Sequence, residues 1–242
     1  MGTFRQGLMA VLFVATVVLL AGPAAADDKD TCSNESGDVA IAACSRAIAS
    51  GGYQGSNLAA LFNNRGSEYD NKGEYDRAIQ DYDRAIRIKP TAGVFGMSAD
   101  IHLRKGEYDR AIADASAAIR LDPKNDVSAV AFNIRGDAYR YKRDYDRTIA
   151  DYSQAILLVP YTVAFLRNRA NTLFLAGKYD MAIADYEALM RLSPRAAADA
   201  LYGRGMAKLK KGDVVDGNAD IAAAKQMNIN IAQEFAKFGI QP

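Results

Sequence analysis

The chain has no tryptophan, one histidine, two cysteines and six prolines in 242 residues, and its charges nearly cancel. Each scarcity removes a class of function. With His102 alone, no Cys/His cluster has metal-ligand spacing, and a general base would lack convergent partners. His102 reads instead as one more occupant of a slot that Tyr69 and Tyr139 fill elsewhere in the chain. No Gly-rich phosphate loop follows a strand pattern and no nucleophile elbow is present, so no catalysis and no cofactor are expected. The 30 Lys and Arg residues are interleaved with 29 Asp and Glu. They form no basic stripe to track phosphates, which argues against nucleic acid as a partner. Half the residues are hydrophobic and 24% are charged, an ordinary globular composition with length enough for a sizeable core.

Long apolar runs are also scarce; the one present lies at the start. Arg5 is the only charge before Asp27, and Leu8 to Ala21 is apolar but for Thr16, followed by Gly22-Pro23 and Ala24-Ala25-Ala26. A positive n-region, a short apolar h-region and an A-x-A site make a secretory signal peptide over residues 1–26, with cleavage after Ala26. The run is shorter than the roughly 20 residues of a membrane-spanning helix, so no stable membrane insertion is expected after cleavage. Pro23 stands where a lipoprotein signal needs cysteine. The mature chain is expected in the periplasm or secreted. In an oxidising compartment Cys32 and Cys44 are expected to pair, contributing roughly 2–3 kcal/mol by loop entropy; the alternative is a small core Cys44 with Cys32 free.

What is abundant is repetition. Lys72-Gly73-Glu74-Tyr75-Asp76-Arg77-Ala78-Ile79 recurs unchanged from Lys105 to Ile112. It returns altered at Lys142 to Ile149 and Gly177 to Ile183, and worn at Lys211 to Asp216. From Gly73 the turn position falls again at Gly106, Arg143, Gly177 and Gly212, at intervals of 33, 37, 34 and 35. Small residues recur at Gly66, Ala99, Gly136, Ala170 and Gly205, and four units end at Pro90, Pro123, Pro160 and Pro194. Apolar residues keep helical spacing on two segments per unit, as in Tyr75, Ile79, Tyr82 and Ile86. A glycine between the segments allows a tight turn, and proline stops the second helix. Arg143 at that turn must carry a backbone cost or a shifted cap.

This pattern resembles the tetratricopeptide repeat, whose period is about 34 residues. The resemblance implies an all-α fold, a right-handed superhelical solenoid of five helix pairs (an A and a B helix in each), with an extra N-terminal helix and a C-terminal capping helix. The expected organisation is a signal peptide at 1–26, an N-terminal segment with a lone helix at 27–55, a solenoid at 56–228, and a cap at 229–242. The units are expected at about 59–91, 92–125, 129–162, 163–197 and 198–228.

Members of the resembled family bind extended peptides or partner segments on a concave wall lined by the A helices. Carried over position by position, this implies groove candidates Asn63, Asn64 and Ser67 in unit one, with Met97, Asp100 and Arg104 in unit two. Unit three offers Asn133, Asp137, Arg140 and Tyr141, unit four Arg167, Asn168 and Asn171, and unit five Tyr202. Asn and Arg suit backbone and carboxylate recognition, and Arg167 with Asn171 resembles one arm of a carboxylate clamp. The implied function is a non-catalytic adaptor for a protein or peptide. The alternatives are a subunit or enzyme acting on envelope polymers, or self-assembly through Phe238 and Ile240 if these stay uncovered. Three further expectations concern the framework. Asp81, Asp151 and Asp185 belong on the solvated face, beside core tyrosines. The B helices present Asp76, Arg77, Asp81 and Arg84 outward. Tyr145 fills a core slot.

Overall fold

The computed structural model describes residues 23–241, and the expected signal segment lies outside the described residues up to Gly22. The described chain is helical throughout, without a strand, and none of its helices is long and apolar enough to cross a membrane. Five helix pairs follow one another: α3 (Gly55–Asn71) with α4 (Tyr75–Ile88), α5 (Ala92–Arg104) with α6 (Tyr108–Leu121), α7 (Asp126–Tyr141) with α8 (Tyr145–Leu158), α9 (Val163–Leu175) with α10 (Tyr179–Leu192), and α11 (Ala197–Lys211) with α12 (Val214–Met227). The short α13 (Ile231–Lys237) closes the chain.

The N-terminal end departs from the expectation of a lone helix, since α1 (Pro23–Asn34) and α2 (Gly37–Ala49) form a further pair. In α2, Asp38, Ala40 and Ile41 take the places that Asp76, Ala78 and Ile79 hold in α4, and Cys44 stands where α4 has the core Tyr82. Cys44 is bonded to Cys32 on α1, S–S 2.06 Å. A small unit with no core aromatic is thus stapled covalently. Without a full A-helix pattern over residues 27–36, sequence periodicity shows only the B helix of this unit.

Several pairs are built the same way because similar residues meet. Gly66 and Gly136 lie under the rings of Tyr82 and Tyr152, where a Cβ would approach to 2.9 and 2.8 Å. Gly205 and Gly217 bring α11 and α12 within backbone contact of each other. At the A-to-B turn the chain enters the left-handed region at Gly73, Gly106, Gly177 and Gly212. The following N–H then reaches back five residues, as from Glu74 to Tyr69 C=O at 2.8 Å, which satisfies the helix end. Arg143 adopts the same conformation, φ 60°, so the turn is unshifted and the side chain bears the strain. Before three of the unit-ending prolines, Lys89, Asp122 and Ser193 are extended, as steric contact with the ring favours, and Val159 before the fourth is non-helical at φ −132°, ψ 83°.

Two framework expectations are corrected. Asp81, Asp151 and Asp185 are buried, at 3%, 5% and 8% exposure. Each receives a two-pronged hydrogen bond from an arginine 16 residues earlier on the A helix: Arg65 at 2.7 and 2.8 Å, Arg135 at 2.8 and 2.7 Å, Arg169 at 2.7 and 2.8 Å. The same arginines donate to Ser45, Ser116 and Ser153 of the preceding B helix. Arg204 and Asp220 repeat the clamp in unit five. The buried carboxylate is held by a fork-shaped cation rather than by water. Tyr145 is only half-buried, and the enclosed rings are Tyr82, Tyr152 and Tyr186, one B-helix register further on.

Candidate functional site

The A helices pack side by side and share one wall, and the candidate residues lie along it. Their local roles differ. In unit one, Asn64 donates to Ser33 of α1 at 3.4 Å, so α1 covers this end of the wall. Asn63 is half-buried, and its Oδ1 is enclosed with no hydrogen-bond partner.

Units two and three form the open part. Arg104 bridges Asp70 at 2.7 Å and Asp100 at 2.9 Å, and these two carboxylates keep its guanidinium charged. The Asp70 hydrogen bond raises its pKa first, against a lowering by desolvation. Asn133 donates to Asp137 at 3.1 Å, and Tyr152 O–H donates to the other oxygen of Asp137 at 2.7 Å. Burial pushes the Asp137 carboxyl above the usual carboxylate range, only partly opposed by Tyr152, Arg140 and Asn133. Burial likewise pushes the Tyr152 hydroxyl well up, so it stays a donor. Arg140 lies over the Tyr141 ring at 4.4 Å, and Tyr141 stacks on Tyr108 at 5.0 Å between centroids. Arg104, Tyr108, Asp137, Arg140, Tyr141 and Asn168 surround a cleft of about 660 Å³. Asn168 donates to Asn133 at 3.2 Å, tying units three and four along the wall.

Towards the C-terminus the wall is occupied by the chain itself. Asn171, 2% exposed, accepts from Tyr186 O–H at 2.7 Å, and Arg167 donates to Asp199 at 3.1 Å. Tyr202 is buried under Phe235 of α13, centroids 4.9 Å apart. Phe238 continues past Arg167 and Asn171 to within 5.8 Å of the Arg140 guanidinium. Ile240 is fully buried, which withdraws it from any role as an uncovered self-assembly contact. Arg167 is thus paired with Asp199 and Asn171 with Tyr186, while Arg167 Nε is enclosed without a hydrogen-bond partner. Seeing that α13 folds back over the A wall required the tertiary structure, because IAQEFAKF reads equally as an end cap.

His102 is buried in the aromatic slot of unit two, with Nδ1 2.8 Å from Glu107 Oε2 and Nε2 3.8 Å from Asp114 Oδ2. The Arg–Asp clamps were missed by sequence reasoning although their signal is present. An Arg precedes the small A-helix residue in four units, and an Asp follows it by 16 in each.

Tetratricopeptide repeat profiles match residues 59–92, 92–125, and 135–197 together with 176–226. Among curated proteins none matches the sequence. Solved structures with the same fold include a MamA protein, 20% identical, TM-score 0.65, with 72% of this chain and 94% of that one aligned. YrrB, described as a TPR protein with an unusual peptide-binding site, is 19% identical with TM-score 0.64, over 74% and 92% of the two chains. A tetratricopeptide repeat protein from Parabacteroides merdae is 19% identical with TM-score 0.56, over 90% and 85%.

Proposed function

Because the chain belongs to the tetratricopeptide repeat family, we propose that it is a non-catalytic adaptor holding a peptide segment of a partner protein on its A-helix wall. The observation that carries the reading is the open stretch over units two and three. There Arg104, Asp137, Arg140, Tyr141 and Asn168 line one cleft. Amide, guanidinium and carboxylate groups offer donors and acceptors to a peptide backbone, and the exposed Tyr141 ring offers apolar contact. The peptide-binding site named for YrrB supports the same use of the fold. The groove ends at unit four, where α13 and Phe238 lie on the wall.

The signal-peptide pattern over residues 1–26 supports action outside the cytoplasm, in the periplasm, where a Cys32–Cys44 bond persists. The test uses the envelope of a producing Gram-negative cell. Protein recovered there is expected to begin at Asp27, and to retain a partner that co-purifies through crosslinking. The double substitution Arg140→Ala/Asn168→Ala is expected to abolish that capture. Intact Met1 on soluble envelope protein defeats the location. Full capture by the double variant, with an unchanged helical spectrum, defeats the groove.

A further inference from the structure

Unit two breaks the framework at several positions at once. Where the other units carry Arg65, Arg135, Arg169 and Arg204, it has Ser98, which donates to Asp114 at 2.7 Å. Where three units carry a buried tyrosine, it has Ala115. The A-helix residues that meet those tyrosines are Ser67, Asp137 and Asn171. The equivalent Asp100 has no tyrosine to meet and keeps an exposed carboxylate. Two glycines, Gly93 and Gly96, stand within α5, and a Cβ at either would meet nothing within 4 Å. A glycine inside a helix is destabilising relative to alanine. Neither close helix packing nor a left-handed turn accounts for these two, whereas Gly66 and Gly136 are explained by the tyrosine rings above them.

Their effect is a hollow of about 490 Å³ on the A-helix wall. Met97, Val127 and Val130 form its apolar rim and are all substantially exposed. Asp70 and Asp100 line it, and no cation does. Arg104 bonds both carboxylates but leaves the group one charge negative. Further along the same wall, Phe235 and Phe238 of the chain's own C-terminal segment lie against A-helix residues. The wall therefore already receives aromatic side chains from a segment laid across it.

We propose that the hollow over Gly93 and Gly96 receives a bulky apolar side chain of the bound partner segment, with Asp100 and Asp70 selecting a lysine or arginine beside it. This rests on the groove reading above and specifies its ligand. The glycines supply depth, the Met97, Val127 and Val130 rim supplies apolar contact that an extended peptide can bury, and the residual negative charge sets the sign of the flanking residue.

The test uses three labelled peptides of equal length, centred on Lys-Phe-Lys, Glu-Phe-Glu and Lys-Ala-Lys, titrated against the purified protein by fluorescence anisotropy. The first is expected to bind at least tenfold more tightly than either other. Gly96→Leu fills the hollow on a good helix former, so its Tm should be unchanged or higher while the preference for Phe over Ala disappears. Asp100→Asn should shrink the preference for Lys over Glu several-fold. Equal binding of the three peptides, or a Phe preference that survives Gly96→Leu, overturns the proposal. Amide shifts in isotope-labelled protein separate the two levels. Peptides that perturb α7 without the expected preferences leave the groove standing and remove the hollow, whereas peptides that perturb no A helix remove both.

Discussion

Arg135 shows what a single side chain does in this framework. Its guanidinium forks onto Asp151, which is 5% exposed, and also reaches Ser116. Removing it leaves a buried carboxylate without its cation, so Arg135→Ala should cost about 3–5 kcal/mol in urea unfolding. Arg135→Met with Asp151→Leu should recover most of that loss, because two apolar residues need no pairing. The exposed Lys178–Asp146 pair, 2.8 Å long, is geometrically similar, yet solvent screens it and its removal should shift stability by less than 1 kcal/mol. Asp137 gives the pH dependence of the site. Its folded pKa lies above the ordinary value, chiefly through burial. Its contribution to stability is therefore fully present below the unfolded pKa and is lost as pH rises through the raised folded value. Asp137→Asn does not titrate. The Tm difference, variant minus wild type, should be more positive at pH 7 than at pH 4, and a difference independent of pH would contradict the raised value.

At the scale of an element, the A-to-B turn is the most regular piece of the molecule. Four glycines and Arg143 adopt one left-handed conformation. For an L side chain that conformation costs about 1–2 kcal/mol, so Arg143→Gly should stabilise the chain by roughly 1 kcal/mol, read as a higher denaturant midpoint with unchanged slope. The helices between the turns owe their packing to one B-helix position. Tyr82, Tyr152 and Tyr186 are enclosed there, and their hydroxyls face the A helix. Unit two has Ala115 in place of that ring, and its Asp100 keeps an exposed carboxylate instead of a tyrosine contact.

Over the whole molecule, stability is the sum of units and of the contacts between neighbours. Lysines at the turns reach back to aspartates at the start of the previous B helix, from Lys72–Asp38 to Lys211–Asp180. The pair α1–α2 caps one end through its disulfide, and α13 caps the other by burying Ile231, Phe235 and Ile240. A chain ending at Asn230 loses these three side chains, on the order of 5 kcal/mol of apolar burial. It should open first at α11 and α12, seen as fast amide exchange there while α3 to α8 stay protected.

The repeat length, the helix pairs, the turns and the proline stops were legible in the sequence, because each is a local requirement that recurs at a fixed interval. The buried Arg–Asp clamps were written there too, at a spacing of 16, but an aspartate beside a core residue looks solvated until its arginine on the other helix is in place. The extra α1 escaped because a disulfide replaces its periodic apolar face. The occupation of the wall by α13, the enclosure of Asn171 and Tyr202, and the hollow of unit two belong to the tertiary structure alone. Each depends on which surfaces meet when the chain turns back on itself, and side-chain periodicity along one helix carries no record of what crosses over it.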